Sequence, residues 1–128
     1  MDSERNALLA LVRAGGAIAP RKRLLERCGS AEAAFSAPTA TWRECGFENR
    51  LPASARESDP TDAEWLERDG NHLVGWLDPD YPPLLREIPS PPLALFVSGE
   101  PARLWHPAIA IVGSRGPSSG GLRHARDF

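Results

Sequence analysis

At 128 residues and a net charge of −2, the chain has room for one domain or two small ones and lacks a global basic excess. A uniformly basic nucleic-acid coat is therefore excluded, although a local phosphate-facing surface is not. With 41 % hydrophobic residues it can bury a modest core, and no run approaches the roughly 18 apolar residues of a membrane span.

The first helix is expected to begin at Ser3 and to turn Ala7, Leu8, Leu11 and Val12 inward, ending at Gly15-Gly16. Its acidic head and Arg13 are wrong for a signal peptide. A second helix starts at Pro20, points Leu24 and Leu25 inward and closes at Gly29. Ser30 caps a third, short helix through Phe35. Thr41 caps a fourth, with Glu44 at the capping-box position and Trp42 and Phe47 as anchors. Residues 51–60 are polar with two prolines and read as a linker or surface excursion. Thr61 and Glu64 form the box of the next helix.

Beyond it, residues 72–77 (HLVGWL) read as a strand and 81–88 (YPPLLREI) as a short helix begun by two prolines. Residues 93–97 (LALFV) are apolar throughout, which suits a strand covered on both faces. Residues 108–112 (AIAIV) form a second such run, followed by a glycine turn and the start of a helix. This order favours an α/β domain, residues 59–128, after an all-helical domain, residues 1–58. The sheet cannot be completed from these strands, so the chain is expected to be a fragment of a longer protein.

Charge is unevenly placed. Residues 57–80 hold eight acidic side chains and one basic, whereas residues 81–128 hold three acidic and five basic, all arginine. A phosphate-facing surface belongs outside the acidic middle. Of the 15 basic residues, only Lys22 is lysine. Arginine suits forked phosphate contacts, but a proteome-wide arginine bias gives the same count.

The stretch AIAIVGSRGPSSGG, residues 108–121, concentrates the chemistry. Gly113 allows a sharp turn, Ser118 or Ser119 caps the helix, and the first helical N–H groups favour an anion. Ser114 and Ser118 supply hydroxyls, Arg115 supplies a guanidinium, and Gly120 and Gly121 permit close approach. The spacing is neither GxGxxG nor a P-loop. On residues alone, a phosphate cradle and a plain strand–turn–helix connection both stand.

Three blocks together resemble the DprA/Smf family of DNA-processing proteins: GSAEAAF at 29–35, DPDYPPLLREIPSPPLALFVSG at 78–99, and the 108–121 stretch. The resemblance implies a SAM-like helical domain followed by an extended Rossmann-like domain, here truncated. It also implies single-stranded DNA binding and processing in natural transformation, with loading of RecA by a homodimeric, cytoplasmic protein that is not an enzyme. The family's phosphate-contacting GSR turn falls on Gly113, Ser114 and Arg115, with Ser118 and Gly121 beside it. Gly120 departs from the aromatic residue common at that place.

Other features have plain structural readings beside functional ones. Arg21, Lys22 and Arg23 form a basic cluster that reads as a solvated helix face or an auxiliary DNA contact. Tyr81, Leu84, Leu85 and Ile88 read as packing against Leu93, Leu95 and Val97. The tryptophans at 42, 65, 76 and 105 suit packing better than base stacking. Cys28 and Cys45 have no metal spacing and read as reduced structural thiols, and no metal or cofactor is expected. Two further readings remain: a Rossmann-like enzyme acting on a nucleoside phosphate, and a structural fragment without activity of its own.

Overall fold

The computed structural model describes residues 2–57, 59–113, 115–116 and 118–127. The chain is a mixed α/β protein in which five helices precede and support a two-stranded sheet, and a sixth helix lies near the C-terminus.

Helix α1 (Asp2–Arg13) is the centre of the helical part. Residues 7–11 are all buried, so it is enclosed on more sides than its amphipathic spacing implies. Its neighbours are α3 (Ala31–Ser36) and a 3-10 turn at Ala53–Arg56. Gly15 and Gly16 both take left-handed backbone between α1 and α2 (Ile18–Cys28). Pro20 lies in the first turn of α2, where its missing N–H leaves no helical bond unmade. Gly29 ends that helix at φ 83°, donating its N–H to the Leu25 carbonyl at 2.8 Å. Ser30 then caps α3, its hydroxyl accepting from the Ala33 N–H at 3.0 Å. The Glu4 carboxylate on α1 accepts from the Ala31 and Glu32 N–H groups at 2.8 and 2.7 Å, placing negative charge at the positive end of α3.

Four helix starts differ from expectation: Ser3 already lies within α1, and α2 begins at Ile18, two residues before Pro20. Helix α4 (Thr39–Glu44) begins directly after Pro38, so Thr41 lies inside it rather than capping it. The extended Pro38 turns the chain and its carbonyl accepts from the Thr41 N–H at 3.0 Å. Helix α5 (Pro60–Glu67) is capped by Asp59, not by Thr61, because Pro60 is already the first helical residue. The Asp59 carboxylate accepts from the Thr61 N–H at 2.8 Å, and Arg13 at the end of α1 pairs with both Asp59 and Asp62.

Strands β1 (Asn71–Gly75) and β2 (Ala94–Ser98) pair antiparallel, with Asn71 opposite Ser98 and Gly75 opposite Ala94. The sheet is therefore antiparallel, and β2 is not covered on both faces as the apolar run 93–97 led us to expect. One side packs on the helices, where Val74 is buried, while Phe96 is half-exposed and edge-on to Trp65 at 5.7 Å. Gly75 marks the closest approach: a Cβ there would lie 2.7 Å from a Leu8 methyl.

The segment 81–88 is not a helix of regular length. Only Leu85–Glu87 form a 3-10 turn, with Leu84 78 % exposed and Ile88 also outward. Pro82 and Pro83 lack donors, and the bonds formed span three residues, from Leu85 to Pro82 and from Arg86 to Pro83. Tyr81 takes over the anchoring role. It is 1 % exposed, donates to the Pro92 carbonyl at 2.7 Å and meets the Trp76 ring edge-on. One hydrophobic cluster runs from Leu8, Leu11 and Trp42 to Val74, Trp76, Tyr81 and Leu93, so helices and hairpin share a core.

The apolar run 108–112 is not a strand. It has no ladder partner among the described residues, and Val112 is 91 % exposed. Helix α6 (Ser119–Asp127) follows and also lies at the surface.

The cap at α5 has a pH signature. The Thr61 N–H, followed by the Arg13 charge, holds the Asp59 carboxyl below its ordinary range. That contribution is present above the unfolded-state value and is lost as pH falls through the folded one. Asp59→Ala should lower the thermal unfolding midpoint at pH 7. The gap to wild type should shrink as pH drops below about 4, measured by circular dichroism.

Candidate nucleic-acid interface

Of the C-terminal residues singled out above, Gly113, Ser118 and Gly121 lie together at the surface. Ser118 caps α6: its hydroxyl accepts from the Gly121 N–H at 3.0 Å and its carbonyl accepts from the Leu122 N–H, also at 3.0 Å. The hydroxyl proton remains a donor toward an anion. A Cβ on Gly121 would sit 3.2 Å from that hydroxyl oxygen, so the glycine keeps the cap open. Gly113, Ser118 and Gly121 line one open cleft of about 660 Å³, whose apolar wall comes from Ile109, Ile111 and Leu122. Arg115 is exposed beside this cleft in sequence but does not line it. Ser114 lies outside the described residues.

At Gly113 the local backbone does not call for glycine. The residue has no left-handed backbone, and a Cβ there would meet nothing within 4 Å. In this conformation the chain passes it without needing glycine. Two cations that sequence reasoning did not single out, Arg123 and Arg126, project from α6 among exposed residues. Their separation by three makes them neighbours on the helix surface, a spacing legible in GLRHARD.

The basic cluster at 21–23 separates into three roles. Arg21 is 6 % exposed and directed inward. Its guanidinium donates to the carbonyls of Leu11, Val12, Gly16 and Ala17 at 3.0, 3.1, 2.8 and 3.2 Å. The first three are carbonyls at the end of α1 and in the turn after it, beyond the reach of its helical N–H groups, and Ala17 is the N-cap of α2. Burial lowers the Arg21 pKa from its very high ordinary value, yet arginine stays charged. Arg21 is therefore a buried structural cation and not a surface contact. Lys22 sits over the Trp76 ring at 4.6 Å. Arg23 is exposed.

The tryptophans pack. Trp42 and Trp76 are buried, donating to the Ala34 carbonyl at 2.9 Å and to the Glu26 carboxylate at 2.8 Å. Trp105 is half-exposed and donates to the Asp80 carbonyl at 3.1 Å. A second cavity, of about 520 Å³, lies between α1 and β1 and carries Glu4, Arg5, His72 and Asp78 on apolar walls. None of the glycine-turn residues reaches it.

Residues 72–128 match the sequence profile of DNA recombination-mediator protein A. Protein Smf of Escherichia coli (strain K12) is 40 % identical over 79 residues, covering 62 % of this chain and 21 % of that protein. Protein Smf of Synechocystis sp. (strain PCC 6803) is 48 % identical over 56 residues, covering 38 % of this chain and 13 % of that protein. The matches thus span about a fifth or less of the relatives' length. No solved structure matches the chain. By fold and sequence this is a mixed α/β chain whose second half carries the recombination-mediator profile. Over that span it is similar to the DprA/Smf family.

The division within the basic cluster is testable by denaturant unfolding. Arg21→Ala leaves the buried Leu11 carbonyl without its donor and should cost about 2 kcal/mol of stability. Arg23→Ala, on the exposed side of the same turn, should change stability by less than about 0.5 kcal/mol.

Proposed function

We propose that this chain supplies the phosphate-holding part of a single-stranded DNA site. The whole protein would process DNA in natural transformation, loading RecA onto incoming strands as a cytoplasmic homodimer. The observation that carries the reading is the coincidence of family match and site: the matched span 72–128 contains the entire glycine turn and α6. In this reading Gly113, Ser114 and Arg115 meet one phosphate, with Ser118 and Gly121 at the helix start next to it. Arg123 and Arg126 extend the positive surface along α6, in a segment whose arginines outnumber its acids. Lys22 and Arg23 offer an auxiliary contact.

Residues 1–58 would form a SAM-like unit and residues 59–128 the beginning of a Rossmann-like one, the two sharing the core described above. Binding by ionic contacts to a flexible strand requires no cofactor and no bond-breaking step. The acidic stretch 57–80 would lie away from the strand, since like charge repels phosphate.

Binding of a labelled oligothymidylate, followed by fluorescence anisotropy across a salt series, tests the assignment. Arg115→Ala should weaken affinity about tenfold, the size of one charged hydrogen bond. It should also make the slope of log affinity against log salt shallower by about 0.7. An unchanged affinity and slope would remove Arg115 from the site. Turnover of mononucleotides without preference for polynucleotide would instead favour a nucleotide-processing enzyme.

A further inference from the structure

Outside the candidate interface, the helical part carries two thiols on adjoining segments. Cys28 is the last residue of α2 and Cys45 follows α4 directly. The residues just before them, Arg27 and Glu44, are joined by an ion pair at 2.7 Å. Gly46, just after Cys45, lies against Pro20 on α2: a Cβ there would be 3.3 Å from the proline ring. The end of α4 is thus held along α2 on both sides of Cys45. Cys45 is buried within the hydrophobic cluster, and Cys28 is half-buried against that same cluster. Both are free thiols.

We propose that Cys28 and Cys45 form a reversible intramolecular disulfide, a modification site that fastens the end of α2 to the end of α4. The oxidant is a low-molecular-weight disulfide. The Cys28 thiolate, on the more accessible sulfur, attacks one sulfur of that disulfide and forms a mixed disulfide, releasing one small thiol. The Cys45 thiolate then attacks the Cys28 sulfur and expels the second small thiol. One disulfide is consumed, one is formed, and the two protein protons end on the two released thiols. Burial raises the Cys28 thiol above its ordinary range, the neighbouring Cys45 adds to this, and Arg27 opposes it. Cys28 is consequently mostly protonated at neutral pH, and exchange is slow rather than spontaneous on mixing. A bridge requires Cα atoms within about 7 Å, so its formation also reports how closely the helix ends meet.

The test is incubation of the folded full chain with oxidised glutathione, followed by intact mass measurement and non-reducing peptide mapping. The expected result is loss of the mass of two hydrogen atoms per chain, a peptide linking Cys28 to Cys45, and reversal by dithiothreitol. Cys45→Ser should stop at a glutathione adduct on Cys28. Three results would each overturn the proposal: two thiols that stay titratable, a wild-type chain that stops at one glutathione adduct, or a bridge joining two chains.

Discussion

The buried Arg21 guanidinium is the constraint on which the helical half depends. A helix that ends inside a protein leaves carbonyls without partners, and α1 ends at the tight turn that leads into α2. The Leu11 oxygen is buried there and the others are partly so. Arg21 reaches back from the first turn of α2 with a rigid fork of donors and satisfies Leu11, Val12, Gly16 and Ala17 together. The same group offsets the negative end of the α1 dipole. With this corner fixed, α1 can occupy the centre of the core, and its other end can cap α3 through Glu4.

The hairpin depends on the helices through a second polar and aromatic junction. Trp76 follows β1, donates to Glu26 on α2, and has both the Lys22 ammonium and the Arg86 guanidinium over its ring. Arg86 also covers Tyr81 and donates to the Trp76 carbonyl. A two-stranded ribbon alone is barely stable in water. Here its buried face rests on Leu8, and its connecting loop is tied down by Tyr81. This explains how a proline-rich loop keeps one course without a regular helix.

Local signals were readable where they acted locally. The spacing of α1, the glycine at the end of α2 and the Ser30 cap are all decided within a few residues, and each is legible in the letters. The cap of α6 by Ser118 is legible for the same reason. The misplaced starts of α4 and α5 share one cause: a proline sets the helix origin before the threonine that has the better capping chemistry. The long-range features were harder to read. Arg21 looks like a surface cation beside Lys22 and Arg23, and only the incoming carbonyls of α1 turn it inward. The apolar runs 93–97 and 108–112 look alike, yet only the first finds a partner strand. Of the candidate site residues, the cap and the exposed arginine could be anticipated. The arginine pair on α6 was overlooked because no motif flags it.

The four tryptophans also divide the molecule optically. Trp42 is sealed between Phe35 and Phe47 in the helical core, whereas Trp105 stands half in solvent just before the outward stretch that leads to α6. A water-soluble quencher such as iodide reaches the second ring and not the first. Intrinsic fluorescence therefore contains a core signal and a surface signal that can be separated without any label. Whatever comes to cover the surface around Trp105, whether a nucleic acid or further protein, would be seen by that ring while Trp42 serves as its internal reference.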